Sequence, residues 1–309
     1  MPKTEYDFQI IANLLAGKGS AKQILEDLKN FLGQNGQTFR VLTVEQPTPI
    51  SKLPADGKIK IKKGVICLGG DGTVSETVGY VLNHKMGVPI ALIPTGTANI
   101  IAATLGLEKK DGFNFLLENH LKTVDVGVAE YENEKDYFLL GLGLGFEEKF
   151  LKLTKEKFKS HIGIFSSKLG VFSYIFAALS ELLSLKQIPL TIKIDNRQIK
   201  TNVCLLTILN LQPLILKFFP LFRHQEIDCQ DNLFNIYFVE HKNYFQALLG
   251  TLVFHLFGKK DFGLVKSLRG KEFVLESPGI CGTQLDGELR SCLPVKVSFH
   301  RQPMRFFVP

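Results

Sequence analysis

Two acidic residues set among glycines mark the places in this chain where chemistry could be done. The first is Asp71, in Gly64-Val65-Ile66-Cys67-Leu68-Gly69-Gly70-Asp71-Gly72-Thr73-Val74-Ser75-Glu76, where an apolar run feeds into three glycines around one acid. Glycine takes φ > 0 without a Cβ penalty and lets backbone N–H groups approach phosphate oxygens, so this layout is that of a strand-to-helix phosphate turn. Asp71 could hold a metal ion or a proton beside cradled phosphates. Thr73 is placed to cap the helix, with Glu76 three residues on completing a capping-box spacing. The second place is Leu285-Asp286-Gly287-Glu288 near the C-terminus. Read alone, the first stretch also fits a plain chain reversal and the second a plain Asp-Gly hairpin.

Two more turns of the same kind follow apolar strands: Asn13-Leu14-Leu15-Ala16-Gly17-Lys18-Gly19 and Pro94-Thr95-Gly96-Thr97-Ala98-Asn99. Several phosphate-type turns on one sheet edge point to a nucleotide far more strongly than any one of them. Gly17-Lys18 is followed by Gly19, so no P-loop is present, and the first strand lacks the G-x-G-x-x-G dinucleotide fingerprint. A nucleoside-triphosphate site built without a P-loop is what remains.

The elements that must position these turns differ between the two halves. Strands are expected over 8–12, 39–44, 64–68 and 88–93, with helices over 21–32, 73–83 and 98–105 between them. That alternation builds βαβ units around a parallel sheet, and ligands of such sheets lie outside the carboxyl ends of the strands, where the glycine turns fall. From about Thr123 the texture becomes strand-dominated, with runs at 124–129, 137–144, 190–194, 202–209, 233–239, 271–275 and 295–299 and one helical section over roughly 147–185. The fold class is therefore an α/β N-terminal domain with a parallel sheet, residues 1–123, and a β-rich antiparallel sandwich, residues 124–299.

Composition sets the outer bounds. The 309 residues are 45% hydrophobic and 22% charged, with 25 Phe and no Trp, an ordinary globular balance long enough for two domains. A formal charge of +7 favours anionic partners. Cys67, Cys204, Cys229, Cys281 and Cys292 include no close pair, which speaks against a zinc site or a disulfide framework and for a reducing compartment. His161, His224 and His255 stand in no ligand spacing. The apolar windows 211–222 and 244–257 are too short or too broken to span a bilayer. A cytoplasmic protein is expected, able to touch the inner face of a membrane without crossing it. The basic run Lys149, Lys152, Lys155, Lys157 and Lys159 beside the apolar 162–183, and the apolar lip 214–222, are the segments suited to that contact.

Taken together, Gly69-Gly70-Asp71-Gly72-Thr73 with Glu76, Ile93-Pro94-Thr95-Gly96-Thr97-Ala98-Asn99, Gly143-Leu144-Gly145-Phe146 and Asp286-Gly287-Glu288 resemble the diacylglycerol kinase catalytic-domain family, which includes sphingosine kinases and bacterial soluble lipid kinases. The resemblance covers nearly the whole chain. It implies that the first domain, rejoined by 300–309, binds ATP with Mg²⁺, that the β-rich domain carries the lipid, and that reaction occurs in the cleft. Asn13, Gly17 and Thr43, then Gly70, Asp71, Gly72, Thr73 and Glu76, then Gly96 and Thr97 match nucleotide-binding positions. Leu14 and Ala16 depart from the usual Pro and Ser of the first loop, and Ile100 from the usual Asp. Glu288 matches the proton acceptor, with Asp286 beside it and Asp71 as a competing candidate. A structural metal is implied at Asp228, Asp231 and Leu233, although Asn232 stands where Gly is usual. The expected partners are a lipid substrate at the membrane surface and no nucleic acid, and an exposed sheet edge could pair two β-rich domains in a homodimer. Two other readings stay open: a nucleotide kinase of the NAD kinase type, which shares the Gly69–Glu76 turn, and a non-catalytic nucleotide- or lipid-binding protein.

Overall fold

The computed structural model describes residues 4–15, 20–44, 49–54, 57, 59–96, 99–107, 112–149, 151–152, 187–194, 197–211, 227–240 and 265–309. Two units divide the chain, Met1–Val126 with His300–Pro309, and Gly127–Phe299. In chain order the first contains β1 (Glu5–Asn13), α1 (Ser20–Gln34), β2 (Phe39–Val44), β3 (Lys60–Gly69), α2 (Asp71–Asn83), β4 (Ile90–Pro94), α3 (Ile100–Thr104), α4 (Phe115–Glu118) and β5 (Leu121–Val124). The second contains β6 (Gly127–Glu130), β7 (Lys135–Phe138), β8 (Gly141–Gly145), β9 (Ile188–Ile194), β10 (Arg197–Leu209), β11 (Phe234–Glu240), β12 (Val265–Gly270), β13 (Phe273–Glu276), β14 (Gly282–Leu285), β15 (Glu288–Cys292) and β16 (Val295–Phe299). The chain then returns to the first unit as β17 (Met304–Phe307).

The first sheet runs β2-β1-β3-β4-β17-β5, parallel throughout except where β17 meets β5. Its central strands are near-continuous apolar runs, and Phe8, Ile10, Ile11, Val65, Ile66, Cys67 and Leu68 are all fully buried, as parallel strands covered on both faces must be. Helix α1 presents Ala21, Leu25, Leu28 and Leu32 as one buried stripe. It ends where Gly36 takes φ 66° and Gln37 N–H bonds Leu32 O. Gly64 leaves room for β17, since a Cβ there would meet the Phe307 ring at 2.8 Å and Pro89 O at 2.9 Å.

Helix α2 begins three residues earlier than the capping-box spacing suggests. Gly70 is its N-cap and makes no side-chain cap, so Thr73 lies inside the first turn. Glu76 instead accepts the N–H of Ile50, in the short 3-10 turn Ile50–Lys52. His84 Nε2 reaches Leu53 O at 2.8 Å, and Asn83 donates to Ser51 O at 3.2 Å, so the whole helix is tied to that segment. A tertiary partner has replaced the local one.

The second sheet runs β15-β14-β8-β10-β9-β13-β16-β6-β7, with β11 on β10 and β12 on β11, all antiparallel. The long β10 pairs with β9 over Arg197–Val203 and with β8 over Leu205–Leu209. Phe234 is its aromatic centre, stacked on Phe299 at 3.7 Å and on Phe138 at 5.7 Å. The ring of Phe138 lies over Gly127, its cross-strand partner, where a Cβ would come within 2.2 Å. The α/β and antiparallel β-rich fold classes expected from sequence are thus both formed. Two expected strands are split: 124–129 becomes β5 and β6 where the chain changes sheets, and 137–144 becomes β7 and β8 about Leu139-Leu140. Of the expected helical section, 147–149 and 151–152 are helical and the rest lies outside the described residues, as do the lip 214–222 and His161, His224 and His255.

Candidate active site

The glycine turns that follow β3 and β4 lie at the carboxyl edge of the parallel sheet, the edge at which β1 also ends. After β3 and β4 the backbones nearly touch: a Cβ on Gly96 would lie 2.6 Å from Gly70 Cα, and one on Gly70 3.2 Å from Gly96 Cα. Only glycine permits that approach. Thr95 N–H bonds Gly69 O at 3.0 Å and fixes the two turns in register. Thr73 is buried and accepts a hydrogen bond from Asn13 Nδ2 at 3.1 Å, which brings the first loop to the same point. Asn13 Oδ1 in turn accepts Leu15 N–H at 3.1 Å. Thr43 is exposed on β2, opposite Ala12 in the register. Gly17 and Thr97 lie outside the described residues.

Asp71 has a definite task. Its Oδ2 accepts the N–H of Ile100 at 3.0 Å and its Oδ1 that of Ile101 at 2.9 Å, so it caps the start of α3 and joins the turn after β4 to α2. Each oxygen keeps one lone pair free of these bonds. Asn99, at the N-cap of α3 with φ 48°, donates to Gly96 O at 2.8 Å. Thr95 Oγ1 and Asn99 Oδ1 are buried and have no hydrogen-bond partner among the described residues, and a ligand bearing polar groups would satisfy such atoms.

In the second unit, Asp286 and Gly287 form the two-residue turn between β14 and β15, with φ of 49° and 83°. Two positive φ values are the type I′ geometry that Asp-Gly favours. Asp286 is buried, and its carboxylate accepts three backbone N–H groups, those of Leu139 at 2.8 Å, Leu140 at 2.8 Å and Gly141 at 3.0 Å. It is a clamp between the hairpin and the β7–β8 connection rather than a base. Glu288 is half-buried at the start of β15, two residues beyond Asp286.

The sequence reading did not single out Glu147, which follows Gly143-Leu144-Gly145-Phe146 at the end of β8. Thr207 Oγ1 lies 2.5 Å from Glu147 Oε1, and Gln284 Nε2 donates to Oε2 at 2.8 Å. Burial pushes the Glu147 carboxyl up to about 7, with both hydrogen bonds opposing the rise. Its local signal was an acid directly after a glycine motif, but its partners come from β10 and β14 and cannot be read from spacing.

The implied structural metal does not fit the residues present. Asp228 Oδ1 accepts Gln230 N–H at 3.0 Å, and Asp231 Oδ1 accepts Leu233 N–H at 2.8 Å. Asp231 Oδ2 pairs with Arg269 of β12, which puts a cation where a metal ion would sit. Among the described residues no group of three His, Cys, Asp or Glu could hold a metal. Of the basic run, Lys149 and Lys152 are described, and Lys152 pairs with Glu148. No helix among the described residues is long and apolar enough to cross a membrane.

Residues 7–129 match the model of the diacylglycerol kinase catalytic domain. A Staphylococcus haemolyticus protein named a putative lipid kinase is 26% identical over 242 residues, 75% of this chain and 72% of its own length. A crystal structure of a diacylglycerol kinase from Bacillus anthracis strain Sterne superposes with a TM-score of 0.67 at 18% identity, covering 99% of this chain and 98% of the other. An NAD kinase from Archaeoglobus fulgidus in complex with ATP superposes with a TM-score of 0.51 at 11% identity, over 97% of this chain and 93% of the other. Over residues 7–129, which include the turns after β3 and β4, the chain is thus similar to the diacylglycerol kinase catalytic domain.

Proposed function

We propose that the protein is an ATP-dependent lipid kinase that transfers the γ-phosphoryl group of MgATP to a hydroxyl of diacylglycerol or a related lipid alcohol. The observation that carries this is the contact of the Gly70 and Gly96 backbones at the carboxyl edge of the parallel sheet, within the segment that matches the kinase domain. Phosphoryl transfer asks mainly for positioning and for neutralising charge on the transferred group. Closely apposed glycine turns at strand ends supply backbone N–H groups for that. Asp71 is the acidic residue of these turns, and its remaining lone pairs suit the magnesium ion that arrives with the nucleotide, which takes one or two carboxylates and otherwise phosphate and water. No step is assigned to a metal at Asp231, where Arg269 already supplies the positive charge.

A lipid hydroxyl is a weak nucleophile at neutral pH. In this reading Glu288 accepts its proton as the O–P bond forms, a contribution of about 10²–10⁴ in rate. Asp286 holds the turn but keeps its carboxylate engaged with three N–H groups. Labelled ATP offered with diacylglycerol, other lipid alcohols in mixed micelles, and NAD in parallel tests the reading. Label in a lipid product is expected; label in NAD alone contradicts it, and no transfer at all favours a binding protein.

A further inference from the structure

We propose that Glu147 is a positioning residue for the Asp286–Glu288 turn, acting through the side chain of Gln284. The proposal rests on the reading that Glu288 is the proton acceptor. Gln284 spans the gap between the two: its Nε2 donates to Glu147 Oε2 at 2.8 Å, and its Oε1 accepts the N–H of Gly287 at 2.8 Å. The order of these bonds is forced. Gly287 N–H can only donate, so Oε1 of Gln284 must face it, the amide NH₂ must face Glu147, and Oε2 of Glu147 must accept.

The other oxygen of Glu147 faces Thr207 Oγ1 at 2.5 Å, and a hydroxyl can donate to a carboxylate or accept from a carboxyl. A proton on Glu147 therefore resides on Oε1, and the link through Oε2 to Gln284 persists in either state. Gly143 explains itself in the same geometry. A Cβ there would lie 1.7 Å from Glu147 Oε2 and 2.6 Å from Gln284 Nε2, so the glycine opens the space in which the two side chains meet. Gly145 is held for a separate reason, φ 76° and a Cβ that would come 2.4 Å from Cys204 O. The Gly143-Leu144-Gly145 segment thus seats the carboxyl that orients Gln284, and Gln284 orients the turn. Asp286 ties the turn to the β7–β8 connection and Gln284 ties it to Glu147, so the backbone from which Glu288 projects is held at two points. Supporting groups of this kind hold reacting groups within fractions of an ångström, and their loss lowers turnover more than affinity.

The test uses Glu147→Ala, Gln284→Ala and Glu147→Gln in the full chain, read by the exchange rate of the Gly287 amide as well as by kinetics. Glu147→Gln can turn its Oε1 to Gln284 and its NH₂ to Thr207, so it should keep both hydrogen bonds. The first two variants should raise Gly287 amide exchange at least tenfold and lower kcat at least tenfold, with KM for ATP within about twofold. Glu147→Gln should restore exchange and kcat to within about threefold. Gly287 exchange and kcat within twofold of the parent in both alanine variants overturn the proposal, and so does a Glu147→Gln protein as impaired as Glu147→Ala. Should Glu147→Ala fail to fold, the other two variants decide by the same limits. The exchange readout does not depend on turnover: unchanged kcat in Glu288→Gln would remove the base assignment, while faster Gly287 exchange in the alanine variants would still support the positioning role.

Discussion

Among single residues, Asp71 of the first unit and Asp286 of the second each spend their carboxylate on backbone N–H groups, and Glu288 is the residue proposed above as proton acceptor. Asp286→Ala would orphan the N–H groups of Leu139, Leu140 and Gly141, at about 1–3 kcal/mol for each one left buried and unpaired. A loss of about 3 kcal/mol or more in urea unfolding is expected, with turnover falling alongside. Glu147 gives a second, pH-dependent expectation. Its carboxyl titrates at about 7 in the folded chain against 4.5 as the ordinary value, so the folded state holds the proton more tightly. That contribution is complete below 4.5 and is lost as pH rises through about 7, which amounts to roughly 3 kcal/mol at most. Glu147→Gln, which stays neutral, should gain stability relative to the parent between pH 4.5 and 7.5 and show no further change above; unfolding curves across that range check it. Residue types told which acids could do chemistry. They could not tell which were already engaged, because the partners of Asp71 are 29 and 30 positions away and those of Asp286 are 145 to 147 away.

At the scale of elements, the strand-to-helix turns were legible because glycine and β-branched residues carry their own local rules. β2 and β16 occupy the expected spans, and β1, β3 and α1 extend theirs by a few residues. The start of α2 was misplaced because Glu76 finds Ile50, in a segment whose Pro- and Lys-rich sequence gives no sign of packing against a helix. β14 and β15 were missed as strands since their sequence alternates weakly, and only the Asp-Gly turn announced them. The contact of Gly70 with Gly96 gives the sharpest test at this scale. Gly96→Ala would drive a Cβ to 2.6 Å from backbone, which no rotamer change relieves. Destabilisation of about 1–3 kcal/mol is expected from such overpacking. ATP affinity by calorimetry should fall at least tenfold, a loss that an unrelated surface substitution of similar stability would not produce.

At the scale of the whole molecule, the chain closes its first unit with its last strand. β17 lies between β4 and β5, with Met304, Phe306 and Phe307 buried, so the first 126 residues lack an inner strand of their own sheet until the second unit has been traversed. Phe306→Ala should cost about 3–5 kcal/mol, as truncation of a fully buried ring does, and thermal unfolding would show it. Neither periodicity nor composition gave β17 its place; four residues of alternating pattern fit many edges, and only the family resemblance suggested the return. The metal implied at Asp231 failed for a reason at the same scale, since Arg269 arrives from β12, 38 residues on. The proposed reaction moves phosphate from ATP to a lipid hydroxyl with Glu288 as the proton acceptor. Turnover of γ-labelled ATP on diacylglycerol in mixed micelles by the parent chain and by Glu288→Gln, with ATP affinity measured on both, tests it. Labelled lipid is expected from the parent, with a fall of about 10²-fold or more in the variant and ATP affinities within about twofold of each other; equal turnover by both proteins would remove Glu288 from that role.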